Sequence, residues 1–309
     1  MKSFKSYLSS QSDAIKLKEG GNAVDQVVRI NQENVEATLQ KIYKTLFPKL
    51  KLSVKDSGLL GSTGKKKPGG SSGDIDLAVS IKALVKNNKD VYTIGEVFDH
   101  IASISKKSNI DFKDMRSVGV ISLGFPIENV DGKQPDAYVQ LDFMPTEDVE
   151  YAKWQYYSPA EWESELKGVY RNYVLFAIAK HIDFKVIRQA QDKSGKMVDV
   201  TWERHFIDMS KGLMKGTQTR MSKAGNIVKT LKTLTKKEIT KNPDEVIKLL
   251  FGPKWKAKDI LTFDQAIDAM FSPQFIHKKN LPVMSKMLVD SLVKSGYPIP
   301  KILAKKMGL

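Results

Sequence analysis

The segment Gly73-Asp74-Ile75-Asp76-Leu77-Ala78-Val79 constrains this chain more than any other. Aspartate is a poor strand residue, yet two of them open a run that is otherwise apolar. Side chains alternate between the faces of a strand, so Asp74 and Asp76 point the same way and Ile75, Leu77 and Val79 the other. Two carboxylates a few ångströms apart repel one another unless a cation lies between them. Magnesium takes oxygen ligands in octahedral geometry and is commonly held by one or two carboxylates plus substrate phosphates. An Asp-x-Asp strand edge is therefore a platform for such an ion. A pair of solvated strand-end aspartates reads the same way, so the neighbouring sequence has to decide.

Upstream lies Gly58-Leu59-Leu60-Gly61-Ser62-Thr63-Gly64-Lys65-Lys66-Lys67-Pro68-Gly69-Gly70-Ser71-Ser72-Gly73, a glycine-rich basic loop. It follows an alternating run expected as a strand, Leu50 to Lys55. Gly61 lets the backbone approach a phosphate, and the Ser62 hydroxyl can donate to one. A P-loop is excluded, because Leu59 stands where its first glycine should be and Lys66 where its Ser/Thr should be. Downstream, Val139-Gln140-Leu141-Asp142-Phe143 reads as a strand with Asp142 on the face opposite Val139, Leu141 and Phe143. Asp136 is a rival carboxylate, but it precedes that strand and lacks apolar flanks.

These elements, Leu60-Gly61-Ser62, then Asp74-Ile75-Asp76, then Leu141-Asp142-Phe143, resemble the DNA polymerase β-like nucleotidyltransferase superfamily in order and spacing. The resemblance covers about residues 33–145, and the segment before it is similar to phage-encoded nucleotidyltransferases. It implies an α+β palm, a mixed β-sheet flanked by helices. It also implies transfer of a nucleoside monophosphate from an NTP, ATP or CTP, to a hydroxyl. Asp74, Asp76 and Asp142 would be the catalytic and metal-holding residues for two magnesium ions, with manganese as a substitute. Gly61 and Ser62 would hold the β- and γ-phosphates, with Lys65, Lys167 and Arg171 as further nucleotide-binding candidates. Lys167 and Arg171 are four apart on the helix expected from Pro159 to His181.

Other helices are expected from about Glu33 to Phe47, with Asn31 as cap and Pro48 as stop, and from Thr93 to Lys106. Val118 to Phe125 and Ala137 to Phe143 should form a hairpin with a long loop, and a second hairpin should turn at Asp192-Lys193-Ser194-Gly195. Residues 1–30 read as a polar leader or flap. From His205 onward the pattern reads as helical, broken by prolines, which places a catalytic domain at 1–150 and a mostly helical, basic domain at 151–309.

The formal charge of +15 is unevenly spread: 21 Lys/Arg face 8 Asp/Glu from Arg204 to Leu309. That imbalance suits a polyanion, with Lys211, Lys215, Arg220, Lys223, Lys229 and Lys232 expected to contact nucleic-acid phosphates rather than read sequence. The acceptor is thus expected to be a nucleic acid 3′ end such as that of tRNA. A protein hydroxyl, as in toxin-like members, and a catalytically inactive nucleic-acid binder are the alternatives. Trp154, Tyr156, Tyr157 and Trp162 are candidates for base stacking or, as commonly, for packing. No cysteines exclude disulfides and thiol chemistry. The longest apolar run, Val174 to Ala179, is too short to cross a bilayer, and a cytoplasmic location is expected.

Overall fold

The computed structural model describes residues 23–164, 166–192, 194–208, 210–223 and 226–309; at 199, 220–223 and 226–232 it describes the backbone alone. The expected leader lies outside the described residues up to position 22. The chain is α+β and divides after Gly168 into two compact units. The break expected at 150 falls later, so the aromatic connection belongs to the first unit.

The first unit is built on a five-stranded mixed sheet. Its strands are β2 (Ser57–Leu59), β4 (Asp74–Ser80), β5 (Phe112–Met115), β6 (Val120–Pro126) and β7 (Tyr138–Thr146), in the order β2-β4-β7-β6-β5. Only β4 and β7 run parallel; the other neighbours are antiparallel. Two-residue strands β1 (Ile30–Asn31) and β3 (Ser71–Ser72) pair beside it. One face carries Ile75, Leu77 and Val79 of β4, Ile121, Leu123 and Phe125 of β6, and Val139, Leu141 and Phe143 of β7. Helices α1 (Gln32–Thr45), α2 (Phe47–Leu50) and α4 (Ile94–Lys107) bury it through Val35, Leu39, Ile42, Phe47, Val97, Phe98 and Ile101. Each such side chain contributes about 1.5–3 kcal/mol by leaving water, which fixes the strand parity and with it the face on which Asp74, Asp76 and Asp142 stand.

Local chemistry explains the boundaries. Thr93 caps α4 in a reciprocal box with Glu96. Asn31 precedes α1 but does not cap it; its amide donates to Asp131 at 2.8 Å. Pro48 opens α2 rather than stopping α1. The strand expected at 50–55 is absent: Lys51 turns the chain in a left-handed conformation, a 3-10 turn covers Val54–Asp56, and pairing begins at Ser57. Between β4 and α4 lies the short helix α3 (Ile81–Asn87). On the second face of the sheet, α5 (Val149–Gln155) packs against β2 and β4 through Ala152, Leu60 and Ala78.

In the second unit, α6 (Gly168–Ala179) leads into β8 (Lys185–Gln191), β9 (Met197–Asp208), β10 (Gly212–Lys223) and β11 (Asn226–Thr240). These form an antiparallel sheet in the order β11-β10-β9-β8. Helices α7 (Pro243–Phe251), α8 (Phe263–Met270), α9 (Leu281–Lys294) and α10 (Lys301–Met307) complete it. The hairpin at Asp192-Lys193-Ser194-Gly195 is present, with Lys193 outside the described residues. The helical reading from His205 to Thr240 is overturned. Lysines at helix-like spacing alternate there with Thr217, Thr219, Thr230, Thr233 and Thr235, and β-branched threonines favour strands. No helix among the described residues is long and apolar enough to cross a membrane.

Candidate active site

The site is set by the parallel register of β4 and β7. Asp76 stands opposite Asp142 and Asp74 opposite Gln140. Adjacent strands lie about 4.8 Å apart, so side chains in one row on one face are neighbours. Each of Asp74, Asp76 and Asp142 accordingly offers a carboxylate oxygen within 4.8 Å of the others'. All three are half-buried. Asp136 is out of contention: it is exposed in the β6–β7 loop, in a left-handed conformation.

The triad is electrostatically strained in the absence of a cation. Burial first, then the charges of Asp74 and Asp142, push the Asp76 carboxyl up to about 8. Burial also pushes Asp142 up, while the Ser122 hydroxyl and the Gln140 amide pull it back. The donor set fits a hard divalent cation: three carboxylates, no nitrogen or sulfur, converging on one space.

Two residues that sequence reasoning passed over complete this face. Gln140 Nε2 lies 3.0 Å from each carboxylate oxygen of Asp142. Its own Oε1 accepts from the Ala23 N–H at 2.7 Å, which fixes which end of the amide faces the aspartate. Ser122, fully buried, is paired with Asp142 across the antiparallel β6–β7 register. Strand parity was the available signal for Gln140, since residues two apart share a face.

Gly61 borders the triad on the β2 side. Leu60 N–H donates to the Asp76 carbonyl at 2.9 Å, and Gly61 N–H to the Tyr156 carbonyl at 3.1 Å. Gly61 has φ +64°, and a Cβ there would sit 2.8 Å from Asp76 Oδ2. Only glycine meets both demands. Ser62 follows, half-buried, in the turn after it. The loop then folds back on its own start, with the Thr63 hydroxyl donating to the Asp74 carbonyl at 2.8 Å.

The basic loop is pinned rather than free-standing. Lys65 Nζ donates to the Ser158 carbonyl at 2.8 Å and lies 4.2 Å from the Tyr157 ring centroid. Lys66 pairs with Glu161 at 3.1 Å, and Gly69 N–H donates to Glu33 at 2.7 Å. Lys65 thus lies on the loop that borders Asp76, but its ammonium is already engaged.

The remaining candidates scatter. Lys167 and Arg171 do not share a helical face, because α6 begins at Gly168; Lys167 is exposed ahead of it and Arg171 is fully buried within it. Lys211 lies in the turn before β10, and Lys215 on β10 pairs with Glu203 at 3.2 Å. Arg220, Lys223, Lys229 and Lys232 fall on β10 and β11, their side chains outside the described residues. Trp154 is buried and packs against Tyr151 at 5.8 Å, whereas Trp162 is exposed. Comparison with protein-family models and with curated protein sequences returns no match to this chain.

Proposed function

We propose that the chain is a metal-dependent nucleotidyltransferase that moves a nucleoside monophosphate from an NTP to a hydroxyl and releases pyrophosphate. The observation that carries the reading is the register pairing of Asp76 with Asp142, with Asp74 on the same face and Gly61 packed against Asp76. This fits the palm arrangement that the sequence motifs resemble.

Asp74, Asp76 and Asp142 would hold the magnesium ions, for which manganese can substitute. When bound, these supply charge neutralisation for the phosphates and acidify the attacking hydroxyl. In the transfer, the acceptor oxygen bonds to the α-phosphorus while the bond from that phosphorus to the pyrophosphate oxygen breaks. The acceptor proton passes to Asp142, which Gln140 holds in place through both oxygens. Gly61 N–H is committed to the Tyr156 carbonyl, so the turn would offer the backbone amide and hydroxyl of Ser62 to the leaving phosphates. The surplus of basic residues after Arg204 favours a nucleic acid acceptor, with Lys211 and Lys215 among the phosphate contacts.

The test is incubation of the full chain with each α-labelled NTP, Mg²⁺ and pooled RNA, DNA or protein. Label should move to a nucleic acid, and Asp76→Asn should abolish transfer while leaving the fold and salt-sensitive nucleic acid binding intact. Label on protein would move the acceptor to the toxin-like class. Equal transfer by wild type and Asp76→Asn would sink the enzyme reading.

A further inference from the structure

A cavity of about 530 Å³ opens in the first unit at the carboxyl end of β4, where α2, the 3-10 turn after it and the start of α3 meet. Four lysines line it: Lys51, Lys55, Lys82 and Lys86. All four are exposed, and none forms an ion pair among the described residues. Elsewhere in the same unit Lys41, Lys66 and Lys153 each pair with a glutamate. The cavity has one carboxylate, Asp56, and it is committed: its Oδ2 accepts from Ser53 N–H at 2.9 Å and from the Ser53 hydroxyl at 2.5 Å. Those hydrogen bonds, and then the fields of Lys55 and Lys86, hold Asp56 below the usual carboxylate range. The walls offer Leu52 and Ala83 but no aromatic ring, so nothing there would stack on a base.

Lys51 adds an independent observation. It sits at φ 55°, ψ 37°, a left-handed position just after α2 where glycine or asparagine is the favoured occupant. Its carbonyl accepts from Asn87 Nδ2 at 2.8 Å, which ties it to the end of α3. A lysine thus stands at a left-handed backbone position, on the rim of a cavity with three more cations. Lys82 and Lys86 are four apart on α3 and share its face.

We propose that this cavity binds consecutive phosphate groups, with Lys51, Lys55, Lys82 and Lys86 as the ligands. Four unpaired ammonium groups and no base-stacking wall suit the phosphates of a single-stranded nucleic acid backbone or of a free polyphosphate. From Asp76 to Ser80 the strand advances about 13 Å, at roughly 3.3 Å per residue, so the cavity is separate from the triad. The assignment needs no catalysis and is read by binding alone, so it stands or fails independently of the proposed transferase activity.

The experiment uses the full chain, a short fluorescein-labelled single-stranded RNA read by anisotropy, and inorganic tripolyphosphate read by calorimetry. Lys82→Gln/Lys86→Gln should weaken binding about tenfold and flatten the plot of log affinity against log salt by about 1.4, at 0.7 per lost phosphate contact. The control Lys41→Gln/Lys286→Gln removes the same charge from two surface ion pairs and should change little. Lys51→Gly should raise the melting temperature, by relieving the left-handed backbone, while lowering affinity. Loss confined to RNA identifies a nucleic acid backbone, and loss confined to tripolyphosphate identifies a free anion. Unchanged binding of both probes by the Lys82/Lys86 variant, or equal loss in the control, overturns the proposal.

Discussion

Raising the pH from 6 to 8 should tighten magnesium binding steeply, and the size of the effect follows from the triad. Without a cation, burial and then the charges of Asp74 and Asp142 raise the Asp76 carboxyl from 3.8 to about 8. At about 1.36 kcal/mol per pH unit, ionising Asp76 in the empty site costs about 6 kcal/mol. A carboxyl with a raised folded-state pKa keeps its proton where the unfolded chain has lost it. Its contribution to the stability of the metal-free protein is therefore full below pH 3.8 and is lost as pH rises through about 8. A cation binds the ionised form and displaces that proton. At pH 7 binding should release about 0.9 proton, and affinity should rise about ninefold between pH 6 and 7, then level off above 8. Calorimetry in buffers of different ionisation enthalpy measures both quantities. A flat affinity from pH 6 to 8 with no proton release would refute the reasoning, because the three carboxylates would then not share one cation site.

Two substitutions test the surroundings of the triad. Gly61→Ala should destabilise the fold by about 1–2 kcal/mol through its left-handed backbone, and its Cβ, 2.8 Å from Asp76 Oδ2, should displace the carboxylate and weaken magnesium binding. A thermal melt and a magnesium titration check this, and unaltered metal affinity would separate Gly61 from the site. Gln140→Ala removes the donor to both oxygens of Asp142 and should lower kcat by about 10–100-fold, the usual cost of losing a group that orients a metal ligand. KM for the nucleotide should change little, and steady-state kinetics shows whether it does.

The apolar half of the first unit was legible because two periodicities speak clearly there. Alternation placed Asp74 and Asp76 on one face, and Val97, Phe98 and Ile101 marked the buried stripe of α4. The pairing of β4 with β7 was not legible, because two helices and two strands lie between them in the chain and nothing local specifies which strand lies beside which. That pairing is what brings Asp142 opposite Asp76. Gln140 shares the parity of Asp142 and could have been read; it was passed over because an amide at a strand position carries no charge signal. The β8–β9 hairpin was legible from its turn residues, whereas the stretch from His205 to Thr240 reads as helix because its lysines are spaced like those of a helix, although its threonines favour strands and the glycines at 212 and 216 disfavour a helix. Arg171 reads as a nucleotide-binding candidate alongside Lys167, whereas tertiary packing buries it completely.

The proposed role of the three aspartates is transfer of a nucleotide and not of a terminal phosphate. The direct measurement follows one NTP labelled in turn at the α- and at the γ-phosphate through a single incubation with Mg²⁺ and acceptor. α-Label should enter the acceptor while γ-label leaves as pyrophosphate, in equal amounts, and Asp76→Asn should abolish both. Entry of γ-label into the acceptor, or release of γ-label as orthophosphate with none of the α-label transferred, would contradict that role.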